Sequence, residues 1–285
     1  MKPDLNHIFP DNRFDFDTPL EQTQAVLLRM LRIVDYICKK HDIQYWLVAG
    51  TLRNTVLIGK FSKWDDDIDL TMMREDFISF LKYAQKDLPD SLVLQHNSTE
   101  PYYGNPVVPM KIRDKNSIFL ERNENGLEPY SHGIFLDIFA YDHLPENKLK
   151  RYMLKQTSKF ILKLRRKATQ NHNYNTRSFP NRVFSRILPL KTLNSVIEYL
   201  VHTQNSTGII GLGYDSIKGK DQKYSDIFPL KKLSFESYDF YVPHQYNKVL
   251  KNTYGENYNK LPNKKKPSHI SKLIIDTTSD TVYSS

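Results

Sequence analysis

The chain has a single cysteine, Cys38, which sits inside an apolar helical pattern. An intrachain disulfide and a cysteine-built zinc site are thereby excluded. No run approaches the roughly 20 apolar residues needed to span a bilayer. The N-terminus also lacks an apolar signal region, so a soluble cytoplasmic protein is expected. Nine histidines are scattered without ligand spacing such as His-x-x-x-His, and His132 is the first of them worth testing. Internal repeats and low-complexity linkers are missing as well.

The 285 residues, 39% apolar and 12% aromatic, suffice for a sizeable core, as one large domain or two unequal lobes. Disorder is expected only at the ends, "MKPDLNHIFPDN" and "DTTSDTVYSS". The formal charge of +9 points to an anionic partner: nucleotide, nucleic acid or lipid surface. The chain has no recognisable RNA or DNA module, so no nucleic-acid partner is expected.

Residues 20–40 carry apolar Leu20, Val26, Leu27, Met30, Leu31, Val34 and Ile37 at helical steps, with Thr18-Pro19 as the start. "IQYWLVAG" reads as a strand running into a glycine turn at Gly50-Thr51, followed by a short helix and a loop over 51–62. "DIDLTM" alternates, with Asp67, Asp69 and Thr71 on one face and Ile68, Leu70 and Met72 on the other. "REDFISFLKYAQKDLP" returns to a helical period, and "SLVLQH", "VVPMKIRD" and "GIFLDIFAYD" are three further strands. In the last of these, Asp137 shares a face with Phe135 and Phe139. Beyond 146 the composition turns basic. "NKLKRYMLKQTSKFILKLRRK" holds nine Lys or Arg and no acid, with Leu149, Met153, Phe160, Ile161 and Leu164 expected to anchor it to the core. A loop, "NHNYNTRSFPN", and a helix, "LKTLNSVIEYLVH", should follow. Short strands, the helix "HQYNKVLKNTYG" and a tail with Lys264, Lys265 and Lys266 close the chain.

The densest chemistry is "KWDDDIDL", with Asp65, Asp66, Asp67 and Asp69 inside five positions. Residues two apart on a strand point the same way, so Asp67 and Asp69 project together. Asp137, on a second strand of the same sheet, completes a trio. Three converging carboxylates suit a hard divalent cation, Mg²⁺ or Mn²⁺, of the kind that holds phosphate oxygens during phosphoryl transfer. Asp65 and Asp66 are expected only to cap or orient the segment. An EF-hand reading, with Asp65, Asp67, Asp69 and Asp76 at positions 1, 3, 5 and 12, fails on Leu70 where that loop needs glycine. At Gly50-Thr51 the absence of a Cβ lets a phosphate approach main-chain N–H groups.

A strand, a Gly-Thr turn and an Asp-apolar-Asp strand, in that order, form a nucleotidyltransferase signature. "AGTL", "KFSKWDDDIDLTMMREDF", "KIRDKNS", "GIFLDIFAYD" and "FPLKKLSFESYDFYVPHQYNKVLKNTYG" together resemble the LicD family. That family includes bacterial phosphorylcholine transferases and, more distantly, fukutin-type ribitol-phosphate transferases. The resemblance covers about residues 20–270. It implies an α/β (α+β) nucleotidyltransferase-like fold: a small mixed sheet, flanking helices and an irregular C-terminal part. It also implies metal-dependent transfer of a phosphorylated alcohol from a CDP-activated alcohol donor to a glycan or lipid-linked oligosaccharide acceptor.

On this resemblance Asp67, Asp69 and Asp137 are metal-binding and catalytic, Gly50 and Thr51 bind the donor phosphates, and Lys111 and Arg113 lie near phosphates. His269 falls where the family often has a histidine. The chain departs from the family at "RNTVLI", where Asn54 replaces a glycine and Leu57-Ile58 replaces a basic pair; this bears on the choice of alcohol. The expected division is a catalytic core over 1–145, an acceptor-side region over 146–275 and a tail over 276–285. The basic helix is expected to contact an anionic membrane surface at its periphery. A nucleotide-sugar glycosyltransferase with an Asp-x-Asp site, and an inactive nucleotide-binding module, are the two rivals.

Overall fold

The computed structural model describes residues 3–105, 107–122, 124–173, 192–193, 195–196, 207–212, 214, 216, 219–261 and 269–277. Its elements are α1 (Leu5–Ile8), α2 (Pro19–Lys40), β1 (Trp46–Leu47), α3 (Ala49–Ile58), β2 (Ile68–Met73), α4 (Arg74–Asp87), β3 (Leu92–His96), β4 (Met110–Asp114), β5 (Ile118–Glu121) and β6 (Phe135–His143). Then come α5 (Lys148–Asn173), β7 (Ile209–Gly211), β8 (Gln222–Lys223), α6 (Tyr224–Ile227), β9 (Lys231–Phe235), β10 (Tyr238–Val242), α7 (Tyr246–Tyr254) and β11 (Ile270–Ile274).

The mixed α/β class is as expected. The main sheet runs β1-β2-β6-β4-β3, with β7 added to β6 and β8 to β7. Among the described residues only the β2–β6 pair is parallel; the other pairs are antiparallel. β9 and β10 form a hairpin, and β11 returns to pair with β5, tying the C-terminal part to the first half.

Alternation along the strands separates the two faces of the sheet. Ile68, Leu70, Met72, Leu136, Ile138, Met110 and Ile112 enter the core with Leu27, Met30, Leu31, Val34 and Ile37 of α2 and Phe77 and Phe80 of α4. Helix α2 starts at a capping box, Thr18 and Glu21 satisfying each other's backbone N–H groups. The opposite face carries a polar row in register: Asp69 beside Asp137, Asp137 beside Lys111, and Lys111 beside Gln95.

Some expectations need correction. The strand before Gly50 is only two residues long, and the expected short helix starts earlier, so that Gly50 and Thr51 lie in the first turn of α3 rather than in a turn ahead of it. Val48 still donates to the Asp69 carbonyl at 3.1 Å, and then Ala49, at φ 49°, redirects the chain into the helix. The N-terminal stretch is packed: Leu5 and Phe9 are buried, and the Arg29 guanidinium donates to the Phe9 carbonyl at 2.7 Å. On α5, Leu149, Met153 and Phe160 are exposed, at 68, 60 and 62%, while Ile161 and Leu162 face inward. Only the first residues of the expected 171–181 loop are described, and they continue α5. Most of the expected helix over 190–202, and Lys264 to Lys266, lie outside the described residues.

Candidate functional site

A cleft of about 800 Å³ opens where α3 meets β2 and β6. Its lining includes Gly50, Arg53, Asp65, Asp66, Asp67, Asp69 and Asp137, and from later in the chain Leu212, Lys220, Leu250, Tyr254 and His269. The three expected carboxylates thus meet at one cavity. Asp69 and Asp137 arrive there as register partners on the parallel strands, and Asp67 precedes β2 on the same face.

Burial pushes the Asp69 carboxyl well above the usual range, reinforced by Asp67 and Asp137. Burial likewise raises Asp137, against the pull of Lys111. Asp67 is pushed up to about 7 by burial and its acidic neighbours, against His269. Three carboxylates that favour protons mark a place short of positive charge.

Asp65 orients the segment as expected, and Asp66 does more. The Asp65 carboxylate accepts from the Ser62 N–H at 2.9 Å and from the Asn54 amide, fixing the loop after α3. Buried Asp66 accepts from the backbone N–H of His269 at 2.8 Å and pairs with its Nδ1 at 2.9 Å. The same Nδ1 lies 3.4 Å from Asp67. The hydrogen bond to Asp66 raises His269 to about 9, against burial and with help from Asp67. The short run Asp65-Asp66-Asp67 does not signal this pairing, because the partner is 203 positions away; the family position of His269 was the one available hint.

Gly50 lines the cleft, and a Cβ there would meet nothing within 4 Å. The N-cap residue of α3, Val48, supplies no side-chain hydrogen bond, so the first N–H groups of the helix suit an anion. Thr51 is buried and acts sideways: its hydroxyl accepts from the Asp69 backbone N–H at 2.9 Å and braces β2 against α3.

Lys111 and Arg113 sit behind the cleft wall with fully buried side chains. The Lys111 ammonium pairs with Asp137 at 2.8 Å and Glu121 at 3.2 Å, and lies 3.5 Å from the centre of the Phe135 ring. Arg113 donates to Gln95 (2.7 Å), the Gly133 carbonyl (3.0 Å), Glu121 (3.2 Å) and Glu124 (3.0 Å). Paired ions of this kind position their partners, and removing one strands the other in a dry interior. Glu121, Glu124 and Glu128, none of them singled out in the sequence, belong to the same wall. Across the cleft the Arg53 guanidinium stacks on Tyr254 at 4.3 Å. His132 lies between Glu124 and Glu128, at 3.4 and 3.3 Å.

The fold and the cleft together define a mixed α/β protein whose central parallel strand pair delivers carboxylates to a cavity. Residues 42–165, which contain most of that apparatus, match the family model described as LicD/FKTN/FKRP, nucleotidyltransferase domain. The resemblance to the LicD family seen in the sequence is borne out over this stretch. The chain is also 25% identical over 268 residues to the lipopolysaccharide cholinephosphotransferase LicD of Haemophilus influenzae, an alignment covering 90% of this chain and 98% of that protein.

Proposed function

We propose that the protein transfers a phosphorylated alcohol, phosphocholine or a near relative, from a CDP-linked donor to a hydroxyl of a cell-surface glycan or its lipid-linked precursor. The observation that carries this reading is the convergence of Asp67, Asp69 and Asp137 on a cleft that also exposes Gly50 at the uncapped start of α3. The Haemophilus influenzae relative, a lipopolysaccharide cholinephosphotransferase, supports the same direction.

The donor set fits a hard divalent cation. Asp67, Asp69 and Asp137 offer oxygen alone, and burial first, then their mutual repulsion, raises their pKa values, with His269 and Lys111 pulling the other way. They would hold Mg²⁺ or Mn²⁺, which would neutralise charge on a donor diphosphate. Asp66, Asp67 and His269 also bring ligand atoms within 4.8 Å of one another. That set suits the ion less well, because the His269 Nδ1 is already engaged by the Asp66 carboxylate at 2.9 Å.

The remaining roles belong to the chain. The first N–H groups of α3 receive a donor phosphate. The acceptor hydroxyl attacks the phosphorus bearing the alcohol, and a cleft carboxylate takes its proton. The bond from that phosphorus to the CMP oxygen breaks, CMP leaves and a phosphodiester remains. Lys111 holds Asp137 in position, and Thr51 holds Asp69. Residues 1–145 supply this core, and 146–275 supply the acceptor-side wall, including Leu212, Leu250 and Tyr254.

A peripheral membrane contact belongs to the same reading. Among the described residues no helix is long and apolar enough to cross a membrane. On α5, exposed Leu149, Tyr152, Met153 and Phe160 recur at helical spacing, beside Lys148, Lys159 and Lys163. Such a face suits the boundary of an anionic bilayer, where lipid-linked acceptors reside. Other cations of the helix turn elsewhere: Arg151 and Lys155 pair with Asp221, Arg165 is buried, and Arg166 lines the cleft.

The test is incubation with CDP-choline, CDP-glycerol and UDP-glucose, Mg²⁺ and lipid-linked oligosaccharides, followed by mass analysis. A phosphoalcohol added to the acceptor with release of CMP supports the proposal. Release of UDP and a hexose adduct would replace it with the glycosyltransferase reading.

A further inference from the structure

The cleft wall beyond Asp137 carries groups that the transfer step leaves unused. Buried charges alternate outward from that aspartate. Lys111 bridges Asp137 and Glu121, Arg113 bridges Glu121 and Glu124, and His132 stands between Glu124 and Glu128. Lys111 and Arg113, both fully buried, lie behind the wall. The three glutamates line the cleft, together with Tyr102, Tyr103 and Tyr130. The rings of Tyr103 and Tyr130 meet at 86° with centroids 5.8 Å apart, forming an aromatic corner.

We propose that this corner, Tyr102, Tyr103 and Tyr130 with Glu121, Glu124 and Glu128, receives the cationic head of a choline-like alcohol on the donor and so sets which alcohol is transferred. The proposal rests on the CDP-alcohol reading above.

The chemistry of the wall favours a cation over a neutral polyol. A polyol hydroxyl needs acceptors and donors in comparable number, whereas ionised carboxylates only accept. The Tyr103 hydroxyl is already committed, donating to the Val108 carbonyl at 2.8 Å. A quaternary ammonium needs no directed hydrogen bond. It is attracted by ring faces and by negative charge spread around it, and aromatic corners are a recurrent means of holding one. Charge agrees: with Asp137 reserved for the ion, the wall still carries Glu121, Glu124 and Glu128, against Arg113, Lys111 (which is shared with Asp137) and the His132 ring between Glu124 and Glu128. The wall is also continuous with the reacting centre, since Glu121 shares Lys111 with Asp137. An alcohol attached to the transferred phosphorus would extend along it.

The experiment compares CDP-choline with the CDP ester of 3,3-dimethylbutanol, its neutral carbon isostere, and with CDP-glycerol. Transfer is read as kcat/KM with Mg²⁺, and binding of each donor and of CDP alone is read by calorimetry. The expected result is a preference for choline over the isostere of roughly 10- to 30-fold. Tyr130→Phe should keep that preference. Tyr130→Leu and Tyr102→Leu should erase most of it while leaving the affinity for CDP unchanged. Tyr102 is 37% exposed, so its variant is expected to fold even where the Tyr130 one does not. Equal use of the isostere, or preference for CDP-glycerol, overturns the head-group assignment and leaves the CDP-alcohol reading standing. Failure to bind CDP at all removes that reading, and this proposal with it.

Discussion

Asp69 and Asp137 are register partners on the one parallel strand pair of the sheet, and Lys111 is the register partner of Asp137 on the other side. A carboxylate flanked in this way is pulled toward ionisation from one side and pushed away from it on the other. The buried Lys111 ammonium, 2.8 Å from Asp137, offsets part of that repulsion.

Lys111→Met is therefore expected to destabilise the fold by about 3–5 kcal/mol, because Asp137 and Glu121 lose a buried partner. Adding Asp137→Leu should recover part of that loss, since the stranded charge is then removed. Urea unfolding of both proteins measures it. A double variant no more stable than the single would refute the pairing as the source of the cost.

Thr51 links the helix start to the metal-candidate strand through a single hydrogen bond from the Asp69 N–H. Thr51→Ser keeps the hydroxyl and should behave like wild type. Thr51→Val leaves a buried N–H without its partner, at a cost of about 1–3 kcal/mol. Thermal melting of the two variants side by side separates the hydroxyl from the methyl.

Acid stability should depend visibly on Glu124. Burial raises its pKa, but the bond to His132, the Arg113 guanidinium and the Glu121 N–H outweigh this and hold it near 2, against 4.5 when unfolded. Below the unfolded value the unfolded chain takes up the proton first, so this contribution is complete above about pH 4.5 and fades toward pH 2. It amounts to something on the order of 3 kcal/mol. Glu124→Gln should lower stability at pH 6 and flatten its decline over that window. An unchanged slope in denaturant melts taken from pH 6 to pH 2.5 would show that Glu124 is not held in this way.

Strand alternation made Asp67, Asp69 and Asp137 legible, because period-two patterning survives in "DIDLTM" and "GIFLDIF" without knowledge of their neighbours. Lys111 and Arg113 were legible as positions but not as environments: a basic strand residue reads as surface until its buried glutamate partners are seen. Gly50-Thr51 read as a turn because a two-residue strand followed by a left-handed alanine has no sequence signature. His269 was out of reach of any local pattern, as its contact with Asp66 spans most of the chain. Composition captured the charge of α5 but not its faces, and apolar residues assigned inward turned out to point outward.

That outward face gives the fourth prediction. Lys148, Lys150, Lys159 and Lys163, all changed to Gln, should weaken co-sedimentation with liposomes rich in anionic lipid, each cation contributing on the order of 1 kcal/mol. Phe160→Ser with Met153→Ser should weaken it at every lipid charge, because the apolar contribution does not depend on that charge. Transfer to a short soluble acceptor should stay unchanged in both variants. Equal sedimentation of all three proteins would reduce the helix face to ordinary surface.

The central claim is that Asp67, Asp69 and Asp137 form a cation site for transfer from a CDP-alcohol. The most direct measurement is phosphoalcohol transfer by Asp69→Asn, taken together with its melting temperature in chelator. In chelator, removing one carboxylate from a crowded trio relieves repulsion, so the account predicts a melting temperature equal to or above wild type. Transfer should fall by about 100-fold or more, through loss of the group that holds the charge-neutralising ion. A variant that melts like wild type and still transfers at a near-normal rate would contradict the account.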